Sequence, residues 1–167
     1  NARNWNREMF KRFWVSGMNA RYWGVYCIRE AYSTRYALDH LGGSESDVKI
    51  VQGPVEPYED QTLYDNVMGV GRLLPEKGPE WLESWLDVDS LIDWMILEAY
   101  FTNMDVPGNV RYIRAGADGR WHYALFDLDE SMYVDTPDWS YVLDGSQHSN
   151  VPKAILQDET LRDRLLP

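Results

Sequence analysis

The sequence predicts an α+β domain, with antiparallel hairpins followed by a mainly helical C-terminal part. Three observations carry that prediction. Two pairs of short runs rich in β-branched and aromatic residues, 12–16 with 22–29 and 110–114 with 121–126, are each separated by a few turn-forming residues. Between the pairs, 90–103 is apolar nearly all round, the pattern of a helix inside a core rather than on a surface. The stretch 153–166 then spaces its apolar residues as an amphipathic helix does.

Residues 1–11 are polar and read as the end of a helix. The first hairpin turns at Gly17, Met18, Asn19 and Ala20. Its second strand alternates Tyr22, Gly24, Tyr26 and Ile28 with Trp23, Val25, Cys27 and Arg29, largely apolar on both faces, as in a strand covered on both sides. Gly24 marks a bulge or a close backbone approach. A helix is expected over 33–41, with Ser33 as N-cap and Gly42 as stop. Residues 47–52 form a candidate third strand carrying Lys49. Gly53, Pro54 and Pro57 break the chain before a helix over about 60–74, which the punctuation between Pro75 and Pro79 should end. A short helix follows around 81–86. In 90–103, Ser90 and Asp93 have capping-box spacing. Residues 133–150 are irregular and acidic. No repeat, low-complexity tract or linker interrupts this order, so one continuous domain is the simplest reading.

At 167 residues the chain is long enough to bury a real core, and a 14% aromatic content argues against disorder. A net charge of −11 argues against nucleic-acid and anionic-membrane partners, which need clustered Lys and Arg. It leaves room for a nucleotide, because a metal ion can screen local carboxylates. Cys27 is the single cysteine, so no internal disulfide forms; it reads as a small buried hydrophobe and leaves the compartment open. No run approaches the ~18 apolar residues of a membrane span. The chain begins with Asn1 and stops at Pro167, which reads as a piece of a longer polypeptide.

The chemistry concentrates around the second hairpin. Its turn contains Asp118 and Gly119, a pair suited to the positive φ angles of tight turns. A hairpin brings its ends together, so Asp105 and Asn109 before it should face Asp127 and Asp129 after it. Carboxylate and amide oxygens converging there form the hard-oxygen ligand set that Mg²⁺ prefers. Six acids lie between Asp127 and Asp144 with no Lys, Arg or His among them. From Asp135 onward they fit a solvated loop. Asp127 does not, because it directly follows Ala124, Leu125 and Phe126 at a strand end where an unpaired carboxylate is costly.

Other readings of Asp127-Leu128-Asp129 fare less well. An EF-hand needs Gly at its sixth position and Glu at its twelfth, where this chain has Met132 and Asp138. A haloacid-dehalogenase phosphatase also ends an apolar strand in Asp-x-Asp, but in a parallel sheet. Glycosyltransferases use the same two acids for a metal, a weak signal here. Protein kinases order their parts as helix, base Asp, Asn ligand, hairpin and second metal-binding Asp, and this chain repeats that order. Asn109 falls four residues after Asp105 rather than five, and neither a His-Arg pair nor a Gly-rich phosphate loop is present. Lys49 and Glu30 are candidates for a phosphate-facing cation and its supporting acid, against the plain reading of Lys49 as an exposed surface lysine. His40 sits on a helix, His122 on a strand and His148 in a polar loop. No Ser-His-Asp or zinc spacing appears.

Four segments resemble the spore coat protein H (CotH) kinase family. They are Tyr22-Trp23-Gly24-Val25-Tyr26-Cys27-Ile28-Arg29-Glu30, Asp87-Val88-Asp89-Ser90-Leu91-Ile92-Asp93-Trp94, Asn103-Met104-Asp105 with Asn109, and Arg120-Trp121-His122-Tyr123-Ala124-Leu125-Phe126-Asp127-Leu128-Asp129. The resemblance implies an atypical protein kinase-like fold in a bacterial protein, secreted or on the cell or spore surface. It implies transfer of the ATP γ-phosphate to Ser or Thr of a protein substrate, with Mg²⁺ or Mn²⁺. By position it makes Asp105 the catalytic Asp, Asn109 and Asp127 metal ligands with Asp129 beside them, and Lys49 and Glu30 nucleotide-binding. The family domain is longer than this chain, whose residues correspond to its central and C-terminal part. The family's usual Trp before the second acidic pair is Phe126 here. A non-catalytic binding or adhesion module on the same fold is the rival from another class.

Overall fold

The structure is a computed structural model describing residues 12–18, 21–28, 30–116 and 119–165, with backbone alone for the first two segments. Strand β1 (Arg12–Met18) pairs antiparallel with β2 (Arg21–Ile28). The register slips so that Ser16 faces Gly24 while Gly17 faces Tyr22, which places a bulge beside Gly24. The expected apolar faces of this hairpin, a buried Cys27 and the helix end over 1–11 lie outside what is described, as does Asp118 of the second turn.

Helix α1 (Thr34–Leu41) starts and stops as its sequence predicts. Ser33 accepts from the Tyr36 N–H, and Gly42 ends the helix at a φ of 76°. Strands β3 (Lys49–Gln52), β4 (Arg111–Arg114) and β5 (Trp121–Ala124) form an antiparallel sheet in that order. Successive side chains point to opposite faces, and both faces are covered. Val51, Tyr112 and Tyr123 join the main core, while Ile113 and Ala124 meet Tyr36 and Ala37 of α1. Two-sided burial explains why β4 and β5 show almost no polar alternation.

Helix α2 (Gln61–Lys77) is capped by Asp60, whose carboxylate accepts from the Leu63 N–H, and it buries Leu63, Val67, Val70 and Leu74 along one stripe. It runs through Pro75 instead of ending there. Pro75 forfeits the bond its own N–H would have made to the Gly71 carbonyl and crowds that carbonyl, but so near the end only two further helical residues depend on it. The helix closes when the Gly78 N–H, at a φ of 82°, donates to the Leu74 carbonyl at 2.9 Å. Helix α3 (Pro79–Glu83) follows directly.

Helix α4 (Val88–Phe101) is the central element, with Leu91, Trp94 and Met95 fully buried and the Trp94 ring 5.1 Å from that of Tyr123. Its cap is Asp87, not Ser90. The Asp87 carboxylate accepts from the Ser90 N–H at 2.9 Å. The Ser90 hydroxyl donates to the Asp87 carbonyl at 2.7 Å and accepts from the Tyr123 N–H at 3.1 Å. Both residues are good cap types, and β5 selects between them by using the Ser90 hydroxyl itself. The expected single C-terminal helix is two, α5 (Asn150–Gln157) and α6 (Glu159–Leu165), divided at Asp158, which accepts from the Leu161 N–H. Helix α5 packs against α2. His148, expected in a polar loop, is 3% exposed, and its Nε2 lies 2.9 Å from the Tyr141 carbonyl.

Candidate functional site

The site forms where α4 ends. Thr102 takes a left-handed conformation (φ 51°), which turns the chain off the helix axis into a loop with a single 3₁₀ turn, Val106–Gly108. The loop is pinned from the sheet side. Gln52 donates from Nε2 to the Gly108 carbonyl at 3.0 Å, and the Gly53 N–H to the Val110 carbonyl at 2.8 Å. After β5 the chain returns as expected, and Asp127 itself is left-handed at φ 54°. Outside glycine, Asp and Asn tolerate that region best, and the conformation concentrates at functional sites. The turn beyond it is tied back to the helix end by the Met104 N–H to Glu130 carbonyl bond (3.0 Å) and the Met132 N–H to Phe101 carbonyl bond (2.7 Å).

Asp105, Asn109 and Asp127 are thereby brought together. The Asn109 Nδ2 donates to the Asp105 Oδ2 at 3.1 Å and reaches the Asp127 carbonyl at 3.5 Å. Asn109 is 8% exposed, whereas the Asp105 side chain is open to solvent, so a buried amide orients an accessible carboxylate. Asp129 is exposed, one residue into the turn, near the Tyr133 phenol whose pKa Glu130 and Asp129 raise.

Lys49 and Glu30 are placed elsewhere from one another. The Lys49 ammonium is paired with Asp60 at 2.5 Å, and the Glu30 carboxylate lies 3.3 Å from the His40 Nε2. Burial works against the Asp60 charge, but Lys49 and the Leu63 N–H outweigh it and hold the carboxyl below its usual range. Farther along the acidic stretch, Asp138 and Asp144 accept from the backbone N–H groups of Ser140 and Ser146, ordinary loop-closing bonds.

Two further residues at the site, Glu98 and Arg111, were not singled out from the sequence, and a third, Asn103, was named there only as part of a family-like segment with no role of its own. Asn103, fully buried, donates from Nδ2 to Glu98 Oε2 at 2.9 Å and to the Asp127 carbonyl at 3.2 Å. Its Oδ1 accepts from the Asp105 N–H at 3.1 Å. Glu98 is 1% exposed on α4, and burial pushes its carboxyl up to about 7 against the pull of the Asn103 amide and the Trp94 indole. Arg111 lies with its guanidinium 3.9 Å above the Phe126 ring and within the field of Asp127, and its Nη1 is buried without a hydrogen-bond partner. Two sequence signals pointed at them. Glu98 is an acid in an otherwise apolar helical stretch, and Arg111 opens a strand otherwise buried on both sides.

The family model for the CotH kinase protein matches residues 55–167. The chain belongs to the CotH kinase family. No curated protein and no solved structure matches it. The matched CotH residues contain Glu98, Asn103, Asp105, Asn109, Arg111, Asp127 and Asp129, while Lys49 and Glu30 lie before them.

A kinase-like family raises the question of a divalent cation, and the donor set answers it in part. Among the described residues no three His, Cys, Asp or Glu side chains gather as a metal-holding group. Mg²⁺ does not require one, since it is commonly held by one or two carboxylates with substrate phosphates and water completing the shell. The Asp127 carboxylate and the Asn109 amide oxygen fit that sparse pattern. The antiparallel pairing of β4 with β5 is unlike the parallel setting of the phosphatase reading.

Proposed function

We propose that this CotH-family domain is an atypical protein kinase that moves the γ-phosphoryl group of ATP to a Ser or Thr hydroxyl of a protein. One observation carries the proposal: Asn109 is bonded at once to the Asp105 carboxylate and to the Asp127 backbone. Residues on opposite sides of a hairpin thus meet in the order helix, base, amide, hairpin, acid, which supports a kinase-like arrangement.

In this reading the exposed Asp105 carboxylate accepts the hydrogen bond of the acceptor hydroxyl and takes its proton as the new O–P bond forms and the bond to the β-phosphate oxygen breaks, releasing ADP. Asn109 holds Asp105 in the accepting orientation. Asp127 and Asn109, with Asp129 beside them, would hold Mg²⁺ or Mn²⁺, which when bound neutralises charge on the phosphate oxygens. Arg111 offers a second positive charge beside Asp127. Lys49 would have to leave Asp60 to reach a phosphate. Most of the acceleration would come from positioning and charge neutralisation.

The test is transfer of labelled γ-phosphate by the full parent protein, beside Asp127→Asn, which removes the charge and keeps a residue that tolerates the left-handed backbone. The variant should lose transfer and keep its unfolding midpoint; full activity in it would remove Asp127 from the site. Mg²⁺–ATP at about 100 times its dissociation constant should stabilise the wild type by about 2.7 kcal/mol, and not the variant. A binding module is the second reading, favoured by the exposed Tyr100, Met132, Tyr133 and Val134 around the helix end. It predicts no nucleotide-dependent stabilisation.

A further inference from the structure

We propose that Glu98 is a positioning residue of the site, holding the Asp105 loop and the Asp127 turn in register through the Asn103 amide. The inference rests on the phosphotransfer reading for its kinetic consequences, though not for its geometry.

Stability alone gives little reason for an acid at this place. Glu98 sits in the last turn of α4, where the helix dipole disfavours negative charge. The side chain is 1% exposed, and no cation is paired with it among the described residues. Its Oε1 is buried without a hydrogen-bond partner, a cost that an apolar side chain of similar size would avoid. The hydrogen bond that Glu98 does make is from the Asn103 Nδ2, at 2.9 Å, with the Trp94 indole close enough to favour its charge.

That group is the hub of the site. Asn103 links three segments through one planar amide: Nδ2 faces Glu98 and the Asp127 carbonyl, and Oδ1 faces the Asp105 N–H. An amide has nearly the same shape when rotated by half a turn, with nitrogen and oxygen exchanged. In the rotated state oxygen would oppose the Asp127 carbonyl, and nitrogen would oppose the Asp105 N–H, so both links would be lost together. An Oε2 that carries no proton accepts from the Nδ2 orientation and so favours the state that joins both loops. Its carboxyl is raised to about 7, so near that pH the neutral and ionised forms coexist, and glutamine offers the same accepting oxygen without the charge.

The experiment compares wild type, Glu98→Gln and Glu98→Leu in the full parent protein, with two readouts. Amide hydrogen exchange at Asp105 should be at least tenfold faster in Glu98→Leu, unchanged in Glu98→Gln, and accompanied by no change at Trp94 earlier on the same helix. In phosphotransfer, Glu98→Leu should lower kcat at least tenfold with the KM for ATP within twofold, and Glu98→Gln should restore kcat. A structural residue without positioning role would move the unfolding midpoint and leave both readouts alone. Wild-type exchange at Asp105 in Glu98→Leu overturns the proposal. Should Glu98→Leu fail to fold, Asn103→Ala cuts the same link from the other side, and unchanged Asp105 exchange there overturns it equally. A wild type with no transfer at all defeats the kinase reading instead, while Asp105 exchange still decides the role of Glu98.

Discussion

The two ends of helix α4 present acids to the same hairpin and treat them in opposite ways. At the N-terminal end, Asp87 caps the helix and meets Arg120 at 3.4 Å and the His122 ring at 4.0 Å, while Asp89 is bound by Arg164 at 2.5 Å. Negative charge there sits at the favourable end of the helix dipole and opposite cations. At the C-terminal end, Glu98 is buried at the unfavourable end of the dipole, Asp105 is exposed, and Asp127 occupies a left-handed conformation. The first arrangement is what stability selects. The second retains groups that stability alone would replace, as the proposed phosphotransfer site requires.

The largest test of that contrast is kinetic. Asp105→Asn should reduce kcat by roughly 10²–10⁴-fold, the usual worth of a positioned base, with the KM for ATP and the urea midpoint unchanged. An equal loss from Asp87→Ala would erase the distinction between the two ends.

Next comes a pH effect on stability that only the C-terminal end should show. The Glu98 carboxyl is raised from 4.5 in the unfolded chain to about 7 in the fold. Between these values the folded state holds a proton that the unfolded chain has released. The contribution of this group is therefore full below pH 4.5 and is lost as pH rises through 7, by about 3 kcal/mol in all. Urea unfolding at a series of pH values should show the difference between wild type and Glu98→Gln widening over that window. A constant difference would mean that Glu98 is charged throughout.

Asp87→Ala should then cost about 1–2 kcal/mol for the lost cap, read from the urea midpoint, with phosphotransfer of the folded fraction unaffected. Smallest is Lys49→Met. Its ammonium is half exposed, which weakens the pair, but Asp60 is buried and would lose its counter-ion, so the loss should be about 1 kcal/mol, with the KM for ATP unchanged. A several-fold rise in that KM would instead place Lys49 against the phosphates.

Much of this molecule can be read along the chain because the relevant forces are local. Ser33, Asp60 and the glycines at 42 and 78 act within one helical turn, and the helices they bound lie where such residues put them. Both hairpins follow from adjacent runs of strand formers. The order Asp105, Asn109, hairpin, Asp127 was likewise legible, because a hairpin must return near its start. The misreadings are those of competition between equivalent local signals. Asp87 and Ser90 could each cap α4, and Pro75 could end α2 or be absorbed in its last turn.

By itself, then, the sequence determined the α+β class, the starts of α1 and α2, the two hairpins and the convergence of Asp105, Asn109 and Asp127, all consequences of contacts between near neighbours. Only the tertiary structure decided that Ser90 serves β5, that Lys49 belongs to Asp60 rather than Glu30, and that Glu98 is buried beside Asn103. Each depends on which group from a distant segment arrives first at a donor or a charge. Burial then multiplies the consequence, because a polar group removed from water must take whatever partner the packing brings.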